Sequence, residues 1–155
     1  MRRDRKLTIE VSRVAGCDPE AVMDLVRDPA TWPRWQPEIV STDGPAPLEE
    51  GDDVYGHASM LGFRVEGHSK TVAVRDDTYE EDVVVGVRMR IVYEVARDDE
   101  GRTVVTRRLS ALLPGGIAGR VLSFFLKRRL TRMQNGVVEE LVRQADGRAR
   151  PSRRR

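Results

Sequence analysis

The stretch that decides the fold reads IAGRVLSFFLKRRLTRMQNGVVEELVRQA and occupies residues 117–145. Its apolar residues recur at intervals of three and four, the spacing that places them on one side of a helix. They are Ala118, Val121, Leu122, Phe125, Leu126, Leu130, Met133, Val137, Leu141 and Val142. At about 1.5 Å per residue such a helix is roughly 40 Å long. The sequence therefore predicts one long amphipathic helix whose apolar side packs on the rest of the domain.

The chain before this helix reads mainly as strands and turns. Leu7, Ile9 and Val11 alternate with polar residues, which is typical of a half-buried strand over 6–14. Asp18-Pro19 begins a short helix to about Arg27, and Trp32-Pro33-Arg34-Trp35 supplies a turn or a second short helix. Six further strands are predicted, over residues 38–42, 54–60, 63–75, 78–85, 87–96 and 103–112. Their short connections favour an antiparallel sheet of about seven strands that curls round the long helix, an α+β fold.

Length and charge predict one domain with basic ends. The 155 residues are 39% hydrophobic and 34% charged, a composition typical of a globular chain. Ten of the 27 basic residues lie in the first six and last thirteen positions, so the body between them is acidic despite a net charge of +2. We expect a basic extension over 1–6, a folded domain over 7–146 and a disordered arginine-rich tail over 147–155.

Several classes of protein are disfavoured. Cys17 is the only cysteine, so an intrachain disulfide and a thiolate metal cluster are excluded, and a cytoplasmic location is expected. The basic N-terminus lacks the continuous apolar region of a signal peptide. The most apolar stretch, residues 111–126, is interrupted by Pro114 and Arg120 and is too short to span a bilayer. The chain also shows no motif for a cofactor or a metal ion, so neither is expected.

The ordered set of elements resembles the START/Bet v1-like (SRPBCC) superfamily, in its polyketide cyclase/dehydrase and lipid-transport branch. The resemblance rests on the opening strand with Asp18-Pro19-Glu20, the Trp32-to-Trp35 turn, the strand at residues 103–109 and the Leu113-Pro114-Gly115-Gly116 segment. It implies a helix-grip fold with an internal cavity for polyketides, lipids or sterols. Members include ligand carriers as well as cyclases, aromatases and dehydratases, so the resemblance leaves carriage and catalysis open.

Two residues on predicted strands are candidates for chemistry in such a cavity. Tyr93 is in phase with Met89 and Ile91, and Arg107 is in phase with Leu109, so both are expected on the inner face. A phenol and a guanidinium there would stabilise an enolate or a carboxylate. The alternatives are a core tyrosine bonded to the backbone, and an arginine in an internal salt bridge or reaching the surface.

His57 and His68 are the remaining catalytic candidates. Each follows a glycine on a predicted strand, and an imidazole is the usual general base near neutral pH. Neither belongs to a triad-like motif, which favours structural or surface roles. Two histidines without acidic partners at ligand spacing also make a poor zinc site.

The residues expected to line the cavity combine the apolar face of the long helix with aromatic and strand positions. Trp35 is expected there or as a plug between the short helices and the sheet, and Phe63 there or at a mobile hairpin tip. The full set is Trp35, Tyr55, Phe63, Tyr79, Met89, Ile91, Tyr93, Arg107, Leu122, Phe125, Leu126, Met133 and Val137.

The basic outer side of the long helix suggests a third function. Lys127, Arg128, Arg129 and Arg132, with the C-terminal arginines, would attract anionic lipid or nucleic acid, although a charged run on a helix is more often its solvated side. The expected partner is a small apolar molecule. Contact with a membrane surface has weaker support, and nucleic acid has no strong support. Either a monomer or a homodimer fits.

Overall fold

The computed structural model describes residues 5–60, 62–113 and 117–149, without the side chains of residues 5, 60, 113, 117–123, 125 and 126. Seven strands precede one long helix, and three short helical segments follow the first strand. The strands are β1 (Arg5–Ala15), β2 (Ile39–Asp43), β3 (Asp53–Met60), β4 (Phe63–Val74), β5 (Thr78–Val85), β6 (Val87–Arg97) and β7 (Thr103–Leu113). The helices are α1 (Pro19–Val26), a 3-10 turn (Pro29–Thr31), α2 (Trp32–Trp35) and α3 (Ile117–Ala149).

The strands form one antiparallel sheet in the order β1-β7-β6-β5-β4-β3-β2. Strands β2 to β7 are ordered as in the chain because short turns join them, and β1 completes the sheet beside β7. Gly56 permits a close approach of β2 and β3, since a Cβ there would lie 2.1 Å from the carbonyl oxygen of Ser41. The predicted α+β helix-grip fold, with a curved seven-stranded sheet round a long helix, is confirmed.

The core lies between the concave face of the sheet and the helices. Helix α3 contributes Val137, Val138, Leu141 and Ala145, all 0–1% exposed, and it packs mainly on β1. Asp146 accepts a hydrogen bond from the backbone N–H of Gly16 at 2.9 Å, which ties the end of α3 to the end of β1. This end of the helix is therefore fixed to the sheet.

The element boundaries differ from the sequence expectations mainly in α3. The helix continues to Ala149 through Gly147, whereas the sequence placed its end near Ala145 and a disordered tail from 147. Packing of Ala145 and the bond made by Asp146 hold the backbone helical up to the glycine, which outweighs the low helix propensity of that residue. Residues 150–155 of the expected tail lie outside the described residues.

Candidate functional site

A row of polar and aromatic side chains crosses the concave face of the sheet. Tyr79 pairs with Tyr93 across β5 and β6, and Tyr93 pairs with Arg107 across β6 and β7. Residues directly opposite each other in an antiparallel pair point to the same face. Arg107 is 2% exposed, and the two tyrosines are 0–1% exposed. The alternation of these strands thus carries two phenols and one guanidinium into the interior.

Arg107 has more buried polar atoms without a hydrogen-bond partner than any other described residue. Its Nη2 donates to the side-chain oxygen of Gln36 at 3.2 Å, and its guanidinium carbon lies 5.4 Å from the centre of the Tyr93 ring. Its Nε and Nη1 are buried without a hydrogen-bond partner among the described residues, and no carboxylate there lies within 4 Å. A buried polar group without a partner costs free energy. Arg107 therefore presents two free donors to the interior.

A buried carboxyl group, that of Glu81, lies two residues after Tyr79 on β5 and points to the same face. Glu81 is 3% exposed, and it accepts hydrogen bonds from the hydroxyls of Ser69 at 2.6 Å and Tyr79 at 3.4 Å. Burial raises the pKa of Glu81, because a carboxylate loses its hydration there, while the Ser69 bond and the charge of Arg107 act against that rise. Burial thus favours the protonated form of this carboxyl.

The two tyrosines differ in how their hydroxyls are satisfied. The Tyr79 hydroxyl lies 3.1 Å from the hydroxyl of Thr71 as well as near Glu81. The Tyr93 hydroxyl is buried and has no partner among the described residues. Burial raises the pKa of both phenols, so both keep their protons and act as donors. Tyr93 and Arg107 therefore place donors without partners that meet the hydrogen-bond geometry among the described residues in one row, and Arg107 acts against the rise in the pKa of Tyr93.

The short helices position two further side chains against this row. Trp35 packs edge-on against Tyr93 with ring centres 6.0 Å apart, and its indole N–H donates to the hydroxyl of Thr31 at 3.1 Å. Thr31 in turn donates to backbone carbonyls of Leu25 and Asp28, which fixes the acceptor. The next residue, Gln36, reaches Arg107. The segment after α1 therefore holds both the ring and the amide that contact the row.

Two depressions lie on the described part of the protein, and neither is lined by Arg107 or Tyr93. One, of about 60 Å³, is lined mostly by apolar and glycine residues of β2 to β5, among them Ile39, Val54 and Val83. The other, of about 580 Å³, lies between the α2–β2 segment and α3, with Arg34 and Glu38 on one side and Met133 and Val137 on the other. The larger one offers room for a small molecule next to the described half of α3.

The structure gathers part of the set that the sequence expected to line a cavity. Trp35, Tyr79, Ile91, Tyr93, Arg107 and Val137 are buried, and Met89 is half-buried. Tyr55, Phe63 and Met133 are exposed, and Met133 lines the 580 Å³ groove. Phe63 is exposed because it begins β4 at a hairpin tip, beyond the body of the sheet. The side chains of Leu122, Phe125 and Leu126 lie outside the described residues.

Both histidines and Tyr55 occupy strand positions that alternate with the concave set. The Tyr55 ring stacks on His68 with centres 4.7 Å apart. His68 pairs with Asp53 at 2.8 Å, a partner that the sequence spacing did not indicate, and His57 lies 3.2 Å from the hydroxyl of Ser41. The hydrogen bond from His68, with the charge of nearby Lys70, lowers the pKa of Asp53. The structure does not bring these imidazoles together with Tyr93 and Arg107.

Sequence reasoning missed Glu81, Gln36 and Gln134. Glu81 stands in phase with Tyr79 and Val83 on β5, so an acidic residue within an inward-pointing alternation was the available signal. Gln134 is 4% exposed, and its side-chain oxygen has no partner among the described residues. No comparable pattern marked the two glutamines. No group of three or more residues of the metal-ligating types His, Cys, Asp and Glu clusters within the described ranges.

Comparisons with known proteins agree with this architecture. Residues 6–146 match the family model described as polyketide cyclase / dehydrase and lipid transport. Among curated proteins no sequence relative matches. None of the helices in the described part of the chain is both long and apolar enough to cross a membrane.

Solved structures with low sequence identity share the fold. TTHA0849 from Thermus thermophilus is 15% identical with a TM-score of 0.76, over 93% of this chain and all of that one. The Zhui aromatase/cyclase from Streptomyces sp. R1128 is 14% identical with a TM-score of 0.76, over 96% and 99%. StfQ, a di-domain aromatase/cyclase of the steffimycin biosynthetic pathway, is 15% identical with a TM-score of 0.76, and the match spans 93% of this chain but 52% of StfQ. The chain belongs to the polyketide cyclase/dehydrase and lipid transport family.

Proposed function

We propose that the protein binds a small, largely apolar molecule that carries an oxygen acceptor, and that Arg107 and Tyr93 hold that oxygen beneath the sheet. The main observation behind this proposal is that Arg107 is buried while two of its donor nitrogens lack a partner among the described residues. Such donors are costly in an empty protein and are satisfied by a ligand oxygen. The family and its aromatase/cyclase structural neighbours support a hydrophobic ligand or a polyketide.

The surrounding residues set the shape and polarity of that ligand. Trp35, Ile91 and Met89 supply apolar contact, which favours an aromatic or alicyclic skeleton. The side-chain oxygen of Gln134 has no partner among the described residues, so a ligand hydroxyl that reaches it would satisfy it. A hydroxylated aromatic carbonyl compound therefore complements both kinds of unpaired group better than a plain hydrocarbon does.

Fluorescence titration tests this binding directly. Trp35 is fully buried and packs on Tyr93, so a molecule bound beside Arg107 changes its emission. As a probe we suggest 8-anilinonaphthalene-1-sulfonate, whose rings and sulfonate match an apolar site with a cationic donor. We expect saturable binding to the native protein that Arg107→Met weakens at least about tenfold, the free energy of one hydrogen bond to a charged group. Equal affinity of Arg107→Met and the native protein would contradict the proposal.

A cyclase, aromatase or dehydratase is the second candidate function, and Glu81 is the observation that favours it. A carboxyl whose burial favours its protonated form, in contact with the Tyr79 phenol and on the same face of the sheet as Arg107, would combine a proton donor with groups that stabilise an enolate oxygen. The test is to incubate the protein with a synthetic linear poly-β-ketone and to follow ring formation by absorbance and mass spectrometry. Turnover that Glu81→Gln abolishes while probe binding persists supports catalysis, and binding without any turnover supports carriage.

A further inference from the structure

We propose that the protein docks on anionic lipid bilayers through one end of the sheet, called here the tip end. The tip end consists of the β3–β4 hairpin at residues 60 and 62–64, the β5–β6 turn at 85–88, the end of β7 at 112–113 and the beginning of α3. This inference goes beyond ligand binding and does not depend on it.

The antiparallel topology brings these segments together. Met60 pairs with Phe63, Val85 pairs with Val87, and Met89 pairs with Ala111, so the β3–β4 hairpin, the β5–β6 turn and the end of β7 lie at the same end of the sheet. Helix α3 begins at Ile117, directly after β7, and its other end is tied to β1 at Gly16. The first residues of α3 therefore lie at the tip end as well.

Large apolar side chains are exposed at the tip end. Phe63 is 73% exposed, Leu112 is 63% exposed and Val87 is 42% exposed. Phe124, in the first part of α3, is 67% exposed. Single exposed apolar residues are common on protein surfaces, but several on neighbouring protruding segments mark an interaction site. Gly62, with a φ of +82°, turns the hairpin so that Phe63 begins β4 at its tip.

The charge around these side chains is positive. Arg64 and Arg88 lie on the tip segments, and Lys127 and Arg128 follow Phe124 along α3. All four are exposed, and no carboxylate in the part of the chain that the structure describes lies within 4 Å of them. The sequence contains no Asp or Glu between residues 101 and 138, between 83 and 93, or between 58 and 65. The rest of the domain is acidic, so the tip end differs from it in sign.

Exposed apolar side chains, next to cations that have no carboxylate partner among the described residues, match the chemistry of an anionic bilayer. Apolar side chains enter the boundary between headgroups and acyl chains, and Lys and Arg contact the lipid phosphates. A single-stranded nucleic acid would use the cations and would stack a base on Phe63, but it leaves Leu112 and Val87 without a role, because an aliphatic side chain has no π-face for a base. The apolar residues therefore favour lipid over nucleic acid.

Vesicle co-sedimentation tests the proposal with the full chain. The probes are phosphatidylcholine vesicles with and without about 30 mol% phosphatidylserine, compared at low and high salt. We expect binding only to the anionic vesicles. Phe63→Ser and Leu112→Ser should each lower the partition coefficient about tenfold. Lys127→Ala and Arg128→Ala should each lower it about fivefold and reduce its salt dependence.

Matched controls come from elsewhere on the surface. Val14 is an exposed valine at the other end of β1, and Arg75 is an exposed arginine between β4 and β5. Val14→Ser and Arg75→Ala should leave binding unchanged, and all variants should keep the native melting temperature. The proposal is overturned if native protein ignores anionic vesicles or if the controls lose as much binding as the tip variants. Tighter binding to a single-stranded oligonucleotide that Leu112→Ser leaves unaffected would assign the surface to nucleic acid instead.

Discussion

Replacing Arg107 with methionine should stabilise the ligand-free protein. The substitution removes one hydrogen bond of a charged donor, worth about 1.5–3 kcal/mol, and a desolvated contact of a cation with the Tyr93 ring, worth about 2 kcal/mol. It also removes a buried guanidinium with two donors that lack a partner among the described residues, and the desolvation of that group costs several kcal/mol. The costs that disappear exceed the contacts that are lost.

We expect a net gain of about 2 kcal/mol in the free energy of unfolding, equivalent to a rise of about 4–8 °C in Tm. The assay is urea and thermal denaturation of protein that has been unfolded, freed of small molecules and refolded, because a bound ligand stabilises the native protein by mass action. Arg108→Met is the matched control, since Arg108 lies on the opposite face and pairs with Glu10 near the surface. That change should stay below about 1 kcal/mol.

The opposite sign would refute the reasoning. A loss of about 3 kcal/mol or more, the cost of breaking a buried ion pair, would mean that Arg107 is the structural partner of a charged Glu81. The donors of Arg107 would then be compensated by Glu81, and no ligand oxygen would be needed. A gain in stability together with loss of probe binding would instead mean that the native protein keeps a destabilising residue for its function.

Three further predictions follow from named contacts. The pKa of Glu81 is raised in the folded protein, so the protonated carboxyl contributes stability that is fully present below its ordinary pKa of 4.5. This contribution is lost as pH rises through the pKa of the folded protein. Glu81→Gln should flatten that loss when the free energy of unfolding is measured by denaturation as a function of pH. Burial and Asp146 raise the pKa of Cys17 to about 11, so a thiol-specific disulfide reagent at neutral pH should label it only as the protein unfolds, and rapid labelling of native protein would contradict this. Trp35→Ala should cost about 3–5 kcal/mol of stability by leaving a cavity against Tyr93, measured by denaturation; a cost below about 1 kcal/mol would show that the ring is not part of the packed interior.

The fold was predictable because its signals are local and periodic. Alternation in β1, Asp18-Pro19 at the start of α1 and the repeat of three and four in α3 each determine one element, and short turns then determine the order of the sheet. The end of α3 was predicted less well. Asp146, close to this end of the helix, bonds to Gly16, and a local pattern does not indicate a contact between residues so far apart in the sequence.

For the candidate site, the sequence indicated which face of the sheet each side chain occupies but not which residues it contacts. Alternation correctly indicated that Tyr93 and Arg107 share the inner face, because side-chain direction follows from strand position. It did not indicate that Gln36 reaches Arg107, or that His68 pairs with Asp53, because these contacts join segments brought together by tertiary packing. Exposure of Phe63 likewise depends on how far one hairpin extends beyond its neighbours.

The most direct test of the central claim is native mass spectrometry of the protein and Arg107→Met, purified side by side from the same host and incubated with an equal excess of a hydroxylated aromatic carbonyl compound. We predict a one-to-one complex for the native protein and its loss, by at least about tenfold in affinity, for Arg107→Met. Arg108→Met should bind as the native protein does. Equal occupancy of all three proteins, or no complex with the native protein, would contradict a ligand site at Arg107.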